Sequence, residues 1–126
     1  MMTYSIGDIS RQTGLSIDTL RYYERIDLLV DIERNGSGHR CYSEDDLGWL
    51  NLLVCLRETG MPIADMIRFA ELVRLGEETI PDRVDLLSEH RRNVLGKIEQ
   101  MQKKLAGIDN KIHHYTNKTK MREAVG

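Results

Sequence analysis

An all-α fold carrying one small β-hairpin is what the sequence predicts, and three observations predict it. Residues 3–23 divide into two short helical stretches around a glycine turn. Leu28, Val30 and Ile32 alternate as in a strand, Gly36-Ser37-Gly38 signals a turn, and residues 39–42 begin a return strand. From about residue 81, apolar side chains recur at steps of three and four almost to the end.

The first helix has Ser5 as its N-cap, where the hydroxyl can accept an orphan backbone N–H. Ile6, Ile9 and Ser10 form its inward face, and Gly14 stops it because glycine tolerates positive φ. Ser16 caps the second helix, with Asp18 on the favourable side of its dipole. Ile17 and Leu20 fall three apart and face inward, while Thr19, Arg21, Tyr22 and Tyr23 surround them with groups that donate hydrogen bonds or stack. Such a pair is a helix-turn-helix, whose second helix enters a DNA major groove. A generic helical hairpin with half-buried tyrosines is the plainer alternative for this stretch alone.

Leu28, Val30 and Ile32 alternate as in a strand, and residues 39–42 begin the return. A hairpin at this place is a wing, set to straddle a phosphate backbone while the helix occupies the groove. The wing is expected over residues 28–42, with Arg34, His39 and Arg40 near its tip and return strand. Ser43 and Asp46 then form a capping box for a helix over 44–59, and Trp49 is expected to cover its junction with the wing. A further helix over 62–75 starts at Pro62, where proline costs little. These elements make a winged helix-turn-helix head over 1–75.

Val84, Leu87, Arg91, Val94, Ile98, Met101, Leu105, Ile108, Ile112 and Tyr115 form one heptad seam. A lone helix cannot bury such a seam, so a two-fold homodimer is expected. Residues 76–80 are read as a linker, 81–118 as the dimerisation helix and 119–126 as a flexible tail.

The 126 residues are 40% hydrophobic and 30% charged with two prolines, which suits a helix-rich soluble protein. No apolar run approaches a membrane span and no signal peptide opens the chain, so the cytoplasm and no membrane partner are expected. The net charge of −2 opposes bulk attraction to DNA, and residues 1–75 carry twelve acidic against eight basic side chains. Any grip on DNA must come from a local basic patch, with Glu44, Asp45 and Asp46 turned away. No Gly-rich phosphate loop, no Ser/His/Asp set and no metal pair points to an enzyme.

The run YSIGDISRQTGLSIDTLRYYERIDLL, then GHRCYSEDDL, then RETGMPIADM resembles the MerR family of bacterial transcription regulators. The resemblance spans residues 3–75 and the long helix that follows; Cys41, between Arg40 and Tyr42, occupies a variable position. It implies an antiparallel coiled coil between protomers. It also implies that the dimer bends and untwists a promoter with an overlong spacer, aligning its two elements for RNA polymerase. The expected DNA-facing set is Ser16, Ile17, Thr19, Arg21, Tyr22 and Tyr23 on the recognition helix, which hold backbone or base edges. Arg34, His39, Arg40 and Tyr42 on the wing complete it, Arg40 and Tyr42 clamping flanking phosphates.

The input must be argued from what is present and what is missing. A separate drug-binding domain would need many more residues, and an iron–sulfur cluster about four thiolates. His113 and His114 point about 100° apart on a helix, a poor chelate. No metal and no cofactor are expected. Cys55, between leucines and a valine, is either a buried structural thiol or a reactive one. Arg57, Arg68 and Arg74 could favour its thiolate. Its place before the R-x-x-G turn of Arg57–Gly60 resembles a subgroup that senses aldehydes and other thiol-reactive electrophiles through one cysteine. Cys55 is the expected sensor and Cys41 incidental.

Overall fold

The computed structural model describes residues 2–125. In chain order the elements are α1 (Ile6–Thr13), α2 (Ile17–Arg25), β1 (Glu33–Arg34), β2 (Arg40–Cys41), α3 (Glu44–Glu58), α4 (Ile63–Arg74), a 3-10 turn (Glu77–Thr79) and α5 (Ile80–Val125). The chain divides into two compact units, one ending at Leu87 and the other beginning at Ser88.

Local chemistry sets the helix ends. The Ser5 hydroxyl accepts the Asp8 N–H at 3.1 Å and the Asp8 carboxylate accepts the Ser5 N–H at 3.2 Å, so both orphan donors are satisfied. Ser43 and Asp46 repeat this arrangement at α3, at 3.1 and 2.9 Å. Gly14 ends α1 with φ of 76°, a left-handed conformation that costs an L-residue about 1 kcal/mol or more. The turn is further tied by the Ser10 hydroxyl, which donates to the Leu15 carbonyl at 2.6 Å.

One core serves the whole first unit. Ile9, Leu20, Leu28, Leu50, Leu53 and Met66 are each at most 1% exposed. Each such side chain contributes roughly 1.5–3 kcal/mol relative to exposure. Leu20 faces inward as expected, but Ile17, in the first turn of α2, is 38% exposed and lies outside the buried set of that helix, Leu20 and Tyr23.

The wing is shorter than its sequence pattern. Only Glu33–Arg34 and Arg40–Cys41 pair, antiparallel, with Glu33 opposite Cys41 and Arg34 opposite Arg40. Leu28 and Leu29 are both buried instead of alternating. Asp27 and Asp31 adopt φ of 62° and 57°, which turns the chain on either side of them. A further pairing joins Tyr4 to Tyr42.

Trp49 does cover the approach to the wing. Its Nε1–H donates to the Leu28 carbonyl at 2.7 Å, and its ring stacks on Phe69 with centroids 5.7 Å apart. The linker expected at residues 76–80 holds the 3-10 turn Glu77–Thr79 and is tied by hydrogen bonds. The Thr79 hydroxyl donates to the Leu72 carbonyl at 2.5 Å, and Arg83 donates to Thr79 and to the Gly76 carbonyl.

In the second unit α5 continues as helix through residues 119–125, where a fraying tail is expected from the sequence; Gly126 lies outside the described residues. Along it Ile98, Met101, Leu105, Ile108, Ile112 and Tyr115 are between 47% and 67% exposed. Val94 is half-buried. Leu87, at the end of the first unit, packs against that unit's own core.

Candidate nucleic-acid interface

The helix expected to be the recognition helix is α2. The Ser16 hydroxyl accepts the Thr19 N–H at 3.0 Å and donates to the Thr19 hydroxyl at 2.9 Å, so the two side chains hold each other at the helix start. Arg21 and Tyr22 are exposed on the same helix. The Arg25 guanidinium lies 5.9 Å from the Tyr22 ring centroid, a cation–π approach that leaves a charged, flat surface. A surface cavity of about 280 Å³ beside this helix is lined by Thr19, Tyr22, Tyr23, Arg57, Met61, Ile63 and Met66.

Tyr23 reaches the wall of that cavity but not the exposed surface that Arg21 and Tyr22 share. It is 3% exposed, and its backbone carbonyl accepts the N–H groups of Leu28 and Leu29 at 2.8 and 3.2 Å. The ring falls on the core side of α2 with Leu20, three residues back. The adjacent Tyr22, about 100° round the helix, takes the outward place.

The wing tip is organised by Asn35. Its side-chain carbonyl accepts the Ser37 and His39 N–H groups at 3.0 and 3.1 Å, and its backbone N–H donates to the His39 carbonyl at 2.8 Å. Arg34 folds back to donate to the Gly38 carbonyl at 2.9 Å. His39 is exposed at the start of the return strand. The Asn-Gly-Ser-Gly run carries the signal for this Asx-type turn, so Asn35 was legible although the charged residues around it draw more attention.

Of the expected pair of phosphate clamps, Arg40 is already tied through one nitrogen and Tyr42 is withdrawn into the core. The Arg40 Nε–H donates to the Glu24 carboxylate at 2.6 Å, joining the wing to the recognition helix. Tyr42 is fully buried, and its hydroxyl has no hydrogen-bond partner among the described residues. Burial raises its pKa, with nearby Arg40 opposing and Glu24 and Asp46 adding to the shift. The Tyr42 ring is therefore a core side chain, withdrawn from any surface that DNA could reach. Glu24, which sequence reasoning passed over, is brought to the site by a contact sixteen residues long.

Glu44, Asp45 and Asp46 gather with Asp31 and Glu33 around a cavity of about 330 Å³ that also includes Cys41. Cys41 is half-buried and Cys55 is exposed. The buried-thiol alternative for Cys55 thus fails. It lies on the outward face of α3 with Asn51 and Glu58, both exposed. That spacing of four and three was visible in the sequence behind the flanking leucines and valine. Arg68 lies 3.7 Å from Glu71, and Arg74 donates to the Asp27 carbonyl at 2.5 Å. His113 lies 3.1 Å from the Asn117 side-chain nitrogen. Among the described residues no group of three or more His, Cys, Asp or Glu is arranged to hold a metal ion, and no helix is long and apolar enough to cross a membrane.

Known proteins carry the same plan. The MerR HTH family of regulatory proteins matches residues 4–72. An uncharacterised HTH-type transcriptional regulator of Haemophilus influenzae is 36% identical over 114 residues, which are 90% of this chain and 84% of that one. The crystal structure of HiNmlR, a MerR family regulator lacking the sensor domain and bound to promoter DNA, superposes with a TM-score of 0.77 at 38% identity, covering 82% of this chain and 79% of that one. A MerR family transcriptional regulator from Bacillus thuringiensis gives 0.78 at 35% identity, covering 88% and 97%. A helix-turn-helix with its wing pinned alongside, and relatives of this closeness over most of their length, place the chain in the MerR family: it is a DNA-binding transcriptional regulator and not an enzyme.

Proposed function

We propose that two copies of the chain join through α5 and grip one promoter with two recognition helices. The observation that carries this reading is the exposed seam from Ile98 to Tyr115, which a single helix leaves in water. Steps of three and four read alike in both directions. The seam therefore suits the antiparallel pairing that the family resemblance implies, in which a residue such as Arg91 need not meet its own copy. Ser16, Ile17, Thr19, Arg21 and Tyr22 meet the DNA from α2, and Arg34, His39 and Arg40 from the wing. The dimer distorts the promoter so that RNA polymerase can use it, as the family resemblance implies. HiNmlR bound to promoter DNA supports DNA as the partner.

The signal acts at Cys55. Its thiol stands in solvent, as a sensor thiol must. Addition of the S–H across an aldehyde carbonyl forms an S–C bond and moves the proton to oxygen, with nothing oxidised. The bulkier side chain then biases the angle between the DNA-binding head and the coiled coil. Transcription from the cognate promoter, followed after aldehyde treatment in wild type and Cys55→Ser, tests this. Induction in the wild type alone is expected; equal induction in both sinks the sensor. Failure of the wild type to retain any duplex would instead sink the DNA reading.

A further inference from the structure

We infer that Glu24 is a positioning residue for DNA binding: it holds the Arg40 guanidinium by Nε so that the terminal nitrogens face a phosphate. The inference rests on the proposed placing of the wing along the DNA backbone.

Arg40 and Glu24 meet at 2.6 Å, and their side chains keep 23% and 30% of their surface exposed. The pair is thus neither sealed in the core nor afloat. A guanidinium has five N–H donors in a rigid fork. The bond to Glu24 uses the one nearest the chain. With Nε fixed, the plane of the fork is fixed, and its outer edge is the edge that matches a phosphate.

The two residues come from the two elements that must act together. Glu24 is in the last turn of α2, and Arg40 opens β2. Their bond sets the angle between helix and wing as well as the angle of the fork. An unanchored arginine must order several torsions when it meets its phosphate, at a cost in side-chain entropy. Here the free protein has already borne that cost. The wing's other arginine, Arg34, is tied within the hairpin at Gly38 and has no such link to α2.

The sign of the effect makes the inference testable. Glu24 is an anion close to where DNA must lie. On charge alone, its removal strengthens binding. If it positions Arg40, its removal weakens binding. The probe is the duplex that the wild-type protein selects from a randomised pool, with affinity read by fluorescence anisotropy and folding by circular dichroism. Glu24→Ala is expected to bind about tenfold more weakly, the loss of one oriented charge-assisted contact. Glu24→Gln keeps an acceptor for Nε and is expected to bind within about threefold of wild type. In an Arg40→Ala background, Glu24→Ala is expected to weaken binding no further, since only the charge effect, which favours binding, remains. Binding by folded Glu24→Ala as tight as wild type or tighter overturns the inference. So does an undiminished loss in the Arg40→Ala background. Should Glu24→Ala not fold, a tenfold loss in Glu24→Gln overturns it as well. A wild type that selects no duplex fails earlier, on the DNA reading itself.

Discussion

Tyr4 and Tyr42 hold each other by two backbone hydrogen bonds of 2.8 Å, one in each direction. This bridge fastens the first residues of the chain to the end of the wing, directly before α3 begins. The two side chains fare differently. Tyr4 donates its hydroxyl to Glu44 at 2.6 Å, whereas the Tyr42 hydroxyl is buried with no partner among the described residues. An unpaired buried hydroxyl costs about 1–3 kcal/mol. Tyr42→Phe removes that cost and keeps the ring. The variant is expected to be more stable by about 1 kcal/mol in urea denaturation and to bind operator as wild type does. Weaker binding at unchanged stability would return Tyr42 to the DNA-facing set.

The capping box of α1 predicts a pH response. The Asp8 carboxyl is held below its ordinary value, first by the Ser5 backbone N–H, then by the Ser5 hydroxyl, with Arg11 adding to them. A carboxyl whose folded pKa is depressed contributes stability above its unfolded value near 3.9, and loses it as pH falls through the folded pKa. Asp8→Asn is therefore expected to melt below wild type at neutral pH. The two melting curves should converge only in acid, below the ordinary carboxylate range. A constant difference at all pH values would assign the effect to packing.

Trp49 is the only tryptophan in the chain. Its bond to the Leu28 carbonyl holds the turn through which α2 leads to the wing. Trp49→Phe can keep the stack on Phe69 but loses the N–H donor. A cost of about 1–2 kcal/mol is expected in denaturation followed by circular dichroism, since the Leu28 carbonyl is left buried and unpaired. In the wild type, the fluorescence of Trp49 should report loss of that turn. A neutral substitution would mean that water replaces the indole at this carbonyl.

What the sequence could say followed the range of the interaction. Ser5, Ser16, Ser43 and Gly14 announce helix ends because a cap involves neighbours three or four residues apart. Asn35 is local in the same way. The bridge from Tyr4 to Tyr42 spans the whole head, and no local pattern encodes it. The bond from Arg40 to Glu24 depends on how wing and helix pack. Tyrosines mislead for another reason: Tyr22 and Tyr23 are chemically equal and adjacent, and only the facing of α2 sends one out and the other in. Leu28 and Leu29 looked like part of an alternating strand, but left-handed turns at Asp27 and Asp31 let both enter the core. Cys55 shows two local signals in competition, its apolar neighbours suggesting a buried thiol and its helical spacing from Asn51 and Glu58 an outward one; the second decides its exposure.

The seam of α5 carries the prediction with the largest effect. Ile108 is 58% exposed on a helix that offers it nothing to pack against. In a two-fold pair every substitution is present twice, so its cost is doubled. Burying one isoleucine is worth roughly 1.5–3 kcal/mol, which makes about 3–6 kcal/mol for the dimer before the cost of burying a new charge. Ile108→Glu is therefore expected to weaken self-association at least a hundredfold, as read by sedimentation equilibrium. Lys103→Glu, which changes charge on the same helix away from the seam, should leave the dimer intact. A separated head holds only a half-site, because the second head no longer binds at the high effective concentration that linkage provides. Operator affinity of Ile108→Glu should fall with the dimer and recover at protein concentrations that restore it. An unchanged dimer would show that this face meets another partner and that the two heads are joined elsewhere. Loss of the dimer with full operator affinity would show that one head suffices.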